Sequence, residues 1–199
     1  ANPGCYPTAI QLALIPLLKE GLIDPSSIIA DAKSGISGAG KKNQVDLLMS
    51  EASENFKAYS LTGHRHQPEI EENLSNNSLL GKAKVLFVPH LLPIARGIHA
   101  TIYVDCIKDF DPSVIFNKFF DKEPFVDVMK ENSCPETKSV RGSNVCRISF
   151  YKVPDTKKLI VLSVIDNLVK GAAGQAVQNM NIMMGWKELL GLEYTPLAP

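Results

Sequence analysis

Cys5 stands just ahead of an apolar run with helical spacing, in the segment NPGCYPT of residues 2–8. Pro7 suits the first turn of a helix, where its missing N–H costs nothing. Cys5 is therefore predicted at or just before a helix N-terminus. Backbone N–H groups and the helix dipole favour a negatively charged sulfur there, so the pattern predicts a thiol of lowered pKa. The same N–H groups could hold an oxyanion. A nucleophilic cysteine and a buried structural cysteine both remain open on these residues alone.

Two histidines flank an arginine at the start of another predicted helix, in the segment GHRHQPE of residues 63–69. The proline and the glutamate favour a helix beginning near Gln67. Histidine has a pKa suited to proton transfer near neutrality, which makes His64 and His66 candidate bases. A polar surface loop is the alternative, and the residues by themselves favour it. A metal is not expected, because the pair lacks a third ligand.

A glycine-rich loop, SGISGAGKK at residues 34–42, follows a strand-like run and precedes a predicted helix. Such a loop can bring backbone N–H groups close to a phosphate. A plain flexible loop is the alternative. The loop is not a Walker A motif, because Lys41 is followed by a second lysine rather than by serine or threonine.

Two further segments carry candidate residues. Arg96 lies between two strand-like runs, and its planar guanidinium could grip a carboxylate or a phosphate. A surface arginine is the alternative. A long helix is predicted over residues 167–184, with Asp166 as its N-cap. The small residues at positions 171–174 would let this helix approach another backbone or a ligand closely.

The elements that must position these residues are of mixed type. Several predicted strands are adjacent in sequence, which indicates an α+β fold with a mixed, largely antiparallel sheet and helices packed on one face. Pro16 is expected to bend or end the first helix early. Strands are predicted over residues 28–33, 56–61, 84–89, 100–107, 145–153 and 158–164. Helices are predicted over residues 7–18, 43–55, from 67 onward, 112–120 and 167–184.

Composition excludes several functional classes. The 199 residues are 45% hydrophobic, enough for one domain, or for one domain with an appendage. The net charge is +0, which predicts neither a nucleic-acid nor a membrane partner. No run reaches the ~18 apolar residues of a membrane helix, and no basic segment suggests a signal peptide. The four cysteines form no CxxC pair. A cytoplasmic protein is expected.

Taken together and in order, these segments resemble the N-acetyl-γ-glutamyl-phosphate reductase family of arginine biosynthesis. The resemblance runs from Ala1 to about Gly185, and the combination of the NPGCYPT and HRHQPE motifs is highly specific. A looser similarity reaches aspartate-semialdehyde dehydrogenases. All of these share the catalytic-domain type of glyceraldehyde-3-phosphate dehydrogenase. The matching stretches are NPGCYPTA, SGISGAGKK, GHRHQPEIE, VPHLLPIARGI, EPFV, RGSN and VIDNLVKGAAGQAVQNMN.

The resemblance implies a reaction and roles for its residues. N-acetyl-γ-glutamyl phosphate would be reduced by NADPH to N-acetylglutamate γ-semialdehyde, through a thioester on Cys5. His66, with His64 as second choice, would be the base. Three residues would bind the substrate or orient an imidazole: Arg96, Arg65 and Glu69. Seven would lie near the nicotinamide end of NADPH: Ser34, Gly35, Ser37, Gly38, Ala39, Gly40 and Asn167.

The resemblance also sets an expectation for domain organisation. The family carries an N-terminal Rossmann domain before the cysteine motif, and this sequence has no dinucleotide-binding G-x-G-x-x-G run. Residues 1–166 are expected to form the catalytic domain. Residues 167–199 are expected to pack against the missing nucleotide-binding domain, leaving an apolar face exposed. The complete enzyme is expected to be a homo-oligomer. The alternatives are a related acyl-phosphate or semialdehyde dehydrogenase, an inactive isolated domain, and a zinc-binding protein.

Overall fold

A computed structural model describes residues 2–40, 45 and 48–197 of the chain. Lys41 and Lys42 of the glycine-rich segment, and part of the helix predicted over residues 43–55, lie outside this range. The described helices are α1 (Cys5–Lys19), α2 (Met49–Ala52), α3 (His66–Asn76), α4 (Pro112–Phe120) and α5 (Gly174–Met183). The strands are β1 (Ile28–Gly35), β2 (Lys57–Ala58), β3 (Val85–Leu92), β4 (Ile98–Asp105), β5 (Val126–Val128), β6 (Cys146–Lys152) and β7 (Lys158–Ile165).

The strands form one seven-stranded sheet in the order β2-β3-β1-β4-β7-β6-β5. The pairs β1–β3 and β5–β6 are parallel. The other four pairs are antiparallel. The predicted mixed, largely antiparallel sheet is therefore confirmed. The strands β6 and β7 pair with each other, with Cys146 opposite Ile165.

One face of the sheet carries the core. Burial alternates along β4, as expected for a strand with one covered face. The covering helix α1 lies against β4, β7 and α3, and its side chains Ile10, Leu14 and Leu17 have no exposed surface. The predicted packing of helices on one face is confirmed. On the opposite face the alternate side chains are only partly buried, and Leu86 of β3 is 61% exposed.

Two helices differ from the sequence-based expectation. Pro16 does not end α1, which continues to Lys19. A proline removes one hydrogen bond, whereas Leu17 and Leu18 gain full burial by continuing the helix. The helix predicted over residues 167–184 is composite. A π-helical turn (Val169–Ala173) leads into α5, and the side chain of Asp166 accepts hydrogen bonds from the N–H groups of Leu168 and Val169, as predicted for its N-cap.

Within the described ranges, no helix has the length and apolar character needed to cross a membrane.

Candidate active site

A cavity of about 440 Å³ opens beside the start of α1. Seven of the sequence-predicted site residues line it: Cys5, Ser34, Gly38, Ala39, His64, Arg65 and His66. The loop before α1, the end of β1, the strand β2 and the start of α3 thus converge at one point. The remaining predicted residues, Gly35, Ser37, Gly40, Glu69, Arg96 and Asn167, lie outside the lining.

Cys5 is the first residue of α1, as the sequence predicted. The carbonyl of Gly4 accepts hydrogen bonds from the N–H of Thr8, at 2.9 Å, and from its hydroxyl, at 3.0 Å. The N–H of Gly4 donates to Oε1 of Glu69 on α3, at 3.0 Å. Glu69 therefore fixes the turn before Cys5 to the helix that begins at His66.

The predicted lowering of the Cys5 pKa is wrong. Burial raises the pKa of the thiol, and this effect outweighs the lowering by the N–H groups of Tyr6 and Cys5 and by the charge of Arg65. The helix N-terminus acts in the expected direction, but the cost of removing a thiolate from water is greater than the stabilisation it provides. The resting site thus holds a protonated thiol, and attack on a carbonyl needs a base to accept its proton.

His64 and His66 lie together above the start of α1. Their ring centroids are 5.0 Å apart, and each ring meets that of Tyr6 edge to face. The backbone N–H of His66 donates to Nδ1 of His64 at 3.1 Å, so Nδ1 of His64 is an acceptor and its proton resides on Nε2. A side chain on Gly4 would collide with Nε2 of His66, at 2.5 Å. The His66 ring therefore contacts the residue that precedes Cys5.

Burial lowers the pKa of both imidazoles to about 4. The neighbouring Arg65 adds to the shift at each histidine, and His66 adds to the shift at His64. Both rings are consequently neutral near pH 7. A neutral imidazole can accept a proton, so the site pairs a protonated thiol with two uncharged bases.

The glycine-rich loop does not offer a ring of free N–H groups. The N–H groups of Gly35, Ile36 and Ser37 donate to the carbonyls of Gly97, Ile94 and Ala95, at 2.9, 2.9 and 3.1 Å. A phosphate cradle at these three positions, which the sequence allowed, is therefore not formed. Instead, Gly38 and Ala39 of this loop line the cavity beside Cys5.

The side chain of Asn167 forms hydrogen bonds with this loop and with the neighbouring Gly97. Its Oδ1 accepts from the N–H of Gly97 at 2.7 Å, and its Nδ2 donates to the hydroxyl of Ser37 at 3.0 Å. A side chain on Gly38 would meet Oγ of Ser34 at 2.6 Å, so the loop closes tightly over the end of β1. Asn167 and Ser37 thus shape the wall of the cavity without lining it.

Arg96 is engaged in an ion pair with a buried carboxylate. Its guanidinium lies 3.0 Å from Oδ2 of Asp166, which has no exposed surface. The same oxygen accepts from the N–H of Gly142 at 2.7 Å. Nε of Arg96 is buried and has no hydrogen-bond partner in the described part of the chain. Arg65, by contrast, lines the cavity.

Six cavity residues were not among the sequence-predicted site residues: Tyr6, Lys57, Tyr59, Ser60, Gly63 and Leu91. Tyr59 donates to the hydroxyl of Tyr6 at 3.2 Å, and Tyr6 donates to the carbonyl of His90 at 3.2 Å. Burial raises the pKa of both phenols, so they remain protonated. The sequence predicted a strand at residues 56–61, which includes β2. Its residue pattern did not indicate that this strand lies beside Cys5.

No three histidine, cysteine, aspartate or glutamate side chains come together as possible metal ligands among the described residues.

The chain matches the model of a known family. Residues 5–167 match the family model described as "Semialdehyde dehydrogenase, dimerisation domain". The match covers most of the chain, and the chain therefore belongs to this family.

Two individual relatives are similar to the chain over its full length. The chain is 56% identical over its full length to a protein of Laribacter hongkongensis and 54% identical to one of Nitrosomonas eutropha. Both are named N-acetyl-gamma-glutamyl-phosphate reductase. The chain spans 58% of the length of each relative.

Solved structures of low sequence identity share the fold. Aspartate semialdehyde dehydrogenase II from Vibrio cholerae superposes with a TM-score of 0.71 at 15% identity, covering 93% of this chain and 62% of that one. Aspartate semialdehyde dehydrogenase from Francisella tularensis gives 0.68 at 16% identity, covering 92% and 64%. The fold is the one that the sequence predicted, that of a glyceraldehyde-3-phosphate dehydrogenase C-terminal domain.

Proposed function

We propose that the protein reduces N-acetyl-γ-glutamyl phosphate to N-acetylglutamate γ-semialdehyde, as the names of its relatives indicate. One observation carries the proposal. Cys5, at the start of a helix, shares one cavity with two neutral histidines and an arginine. A nucleophile, a base and a cation for an anionic substrate are the groups that acyl transfer from an acyl phosphate requires.

The first half of the reaction is acyl transfer to sulfur. Cys5 attacks the acyl carbon of the acyl phosphate while a neutral imidazole takes the thiol proton. The C–O bond to phosphate then breaks, and phosphate leaves with the electron pair of that bond. A thioester on Cys5 and an imidazolium remain. We propose His66 as this base because its ring contacts Gly4, and His64 is the alternative.

The cofactor assigned by this proposal is NADPH, which supplies the hydride that reduces the thioester when it is bound. Gly38 and Ala39 fit its nicotinamide end, because they lack bulky side chains and border the cavity beside Cys5. Ser34, Gly35, Ser37, Gly40 and Asn167 would support this wall. After reduction, the imidazolium donates its proton to the oxyanion, which gives the thiohemiacetal and a neutral imidazole. This imidazole takes the hydroxyl proton back as the C–S bond breaks and the aldehyde leaves, and the proton then returns to the Cys5 thiolate.

We propose Arg65 as the main cation for the substrate, because its side chain borders the cavity. Arg96 would contribute through the exposed part of its side chain, which is 32% accessible beside its ion pair with Asp166. Glu69 supports substrate binding by holding Gly4 in place.

Arg96→Lys should test this assignment. Lysine keeps the positive charge but lacks the paired N–H donors of the planar guanidinium. KM should therefore rise several-fold while kcat changes little. Steady-state kinetics would measure both constants, with Arg147→Lys as the control, because Arg147 pairs with Asp127 far along the sheet. An unchanged KM in Arg96→Lys would remove Arg96 from the substrate site.

Residues 167–199 are proposed to pack against a nucleotide-binding domain formed by the rest of the protein. The helix α5 buries polar side chains, Gln178 and Asn181, and exposes apolar ones, with Ile182 at 56% and Met183 at 84% exposed. Exposed apolar side chains on a helix that buries its polar ones indicate a face that another surface covers.

Met183→Lys in the complete protein should weaken NADPH binding without preventing acylation of Cys5. Val114→Lys on α4 provides the control, since Val114 is similarly apolar and 59% exposed. Fluorescence titration with NADPH would measure the affinities. Equal affinities in Met183→Lys and in the unmodified protein would contradict this packing.

We also propose that the protein is cytoplasmic and that the complete enzyme is a homo-oligomer, as the resemblance implied. The family's description as a dimerisation domain supports the oligomer. The partly exposed face of the sheet is the surface available to a second copy. Sedimentation of the complete protein as a monomer would contradict the oligomer.

A substrate comparison tests the proposed reaction against its main alternative, a related semialdehyde dehydrogenase. The protein should reduce N-acetyl-γ-glutamyl phosphate with a kcat/KM at least about 10²-fold above that for β-aspartyl phosphate. The reverse preference would favour the alternative, which the fold alone equally permits.

A further inference from the structure

The π-helical turn Val169–Ala173 presses against the start of α1. The N–H of Gly171 donates to the carbonyl of Asp166 at 3.0 Å, and that of Ala173 donates to Leu168 at 3.1 Å. Each bond spans five residues, which widens the turn compared with an α-helix. Buried Asp166 anchors the beginning of this turn through its hydrogen bonds and its ion pair with Arg96, so the turn has a fixed position.

Gly171 is the point of closest approach to Cys5. A Cβ atom at Gly171 would lie 2.7 Å from Cβ and 3.1 Å from Cα of Cys5. It would also lie 3.2 Å from Cδ1 of Ile165 on the other side. Cβ atoms essentially never make non-bonded contacts under 3.0 Å, so any side chain here must displace the turn or the start of α1.

The start of α1 has little room to retreat. Gly4 is held by Thr8 and Glu69, and the ring of His66 packs closely against it. Further along, α1 is sealed in the core, where Ile10 has no exposed surface. The helix therefore cannot slide as a rigid body, and a methyl group at position 171 would push directly on Cβ of Cys5.

The reactivity of the thiol depends on its place at this helix start. Burial raises the Cys5 pKa, and the N–H groups of Tyr6 and of Cys5 itself are the largest opposing influences. Hydrogen bonds weaken steeply with distance and angle. If the sulfur were displaced, these N–H groups would lower its pKa less. Its alignment with the carbon atom that it attacks would also be poorer.

We infer that Gly171 is a positioning residue, which fixes the sulfur of Cys5 against the N–H groups at the start of α1. The inference rests on the proposed role of Cys5 as nucleophile. The residue acts by having no side chain, because only glycine lets the π-helical turn and the nucleophile share this space.

Alkylation of Cys5 tests the inference directly in the complete protein. The rate of reaction with iodoacetamide is followed across pH by mass spectrometry of the Cys5 peptide, which separates it from the other cysteines. In Gly171→Ala the rate near pH 7 should fall at least about tenfold, with the profile shifted to higher pH. This readout needs no substrate, so failure of the proposed reaction would be seen separately.

Gly174→Ala is the matched control. It adds the same methyl group one turn further on, where it meets Oδ1 of Asn144 at 2.4 Å and a side-chain carbon of Val169 at 2.6 Å. It is thus equally crowded but does not touch Cys5. Its alkylation profile should stay within about twofold of the unmodified protein. An equal shift in both variants, or none in Gly171→Ala, would overturn the inference.

A double variant covers the case in which Gly171→Ala folds poorly. Adding Cys5→Gly removes the Cβ atom that the new methyl group meets, so it should recover part of the lost melting temperature. Additive losses, or a double variant that is also unfolded, would show that the strain at position 171 does not act through Cys5.

Discussion

Cys5→Ser should abolish turnover, with kcat/KM lower by on the order of 10⁴-fold or more. A serine hydroxyl has a far higher pKa than a thiol and is a weaker nucleophile. The site offers it only neutral bases of low pKa, because burial lowers the pKa of His64 and His66 to about 4. Steady-state reduction of the acyl phosphate would measure the loss.

Cys134→Ser is the control for this substitution, since Cys134 is an exposed free cysteine outside the cavity. Its activity should stay within about twofold of the unmodified protein. Comparable activity in Cys5→Ser and Cys134→Ser would contradict the nucleophilic role of Cys5, whatever the substrate.

His66→Ala should slow the reaction by roughly 10²–10⁴-fold, the usual contribution of a positioned base. The thiol is protonated in the resting site, so its attack depends on transfer of that proton. Because the pKa of His66 is about 4, the acid limb of the kcat/KM profile should lie well below that of an ordinary histidine at 6.5. Pre-steady-state acylation rates across pH would measure both effects.

His64→Ala is the comparison that decides between the two histidines. Nδ1 of His64 accepts the backbone N–H of His66, so its loss should also disturb the loop. A larger loss of acylation rate in His64→Ala than in His66→Ala would show that His64 is the base. Melting curves of both variants would separate a loosened loop from a missing base.

Sequence periodicity predicted most of the fold. The strands β4, β6 and β7 were expected within two residues of their observed ends, because runs rich in β-branched and aromatic residues favour strands. The continuation of α1 past Pro16 was not foreseen, because the burial of Leu17 depends on tertiary packing. Local propensity cannot report that packing.

The site was predicted in part, for a similar reason. Cys5 at a helix start and the histidine pair are local patterns, and the structure brings them into one cavity. The raised pKa of Cys5 depends on burial by residues distant in sequence. The occupied N–H groups of the glycine-rich loop depend on carbonyls far along the chain, at Ile94, Ala95 and Gly97. Neither effect leaves a trace in the local sequence.

Acylation of Cys5 without NADPH tests its role as nucleophile most directly. The protein is mixed with N-acetyl-γ-glutamyl phosphate, and its intact mass is compared with that of Cys5→Ser treated in the same way. Acyl transfer to sulfur requires no hydride, so we expect one N-acetylglutamyl group on the unmodified protein and none on the variant. No adduct on a folded protein, or equal adducts on both, would contradict this role.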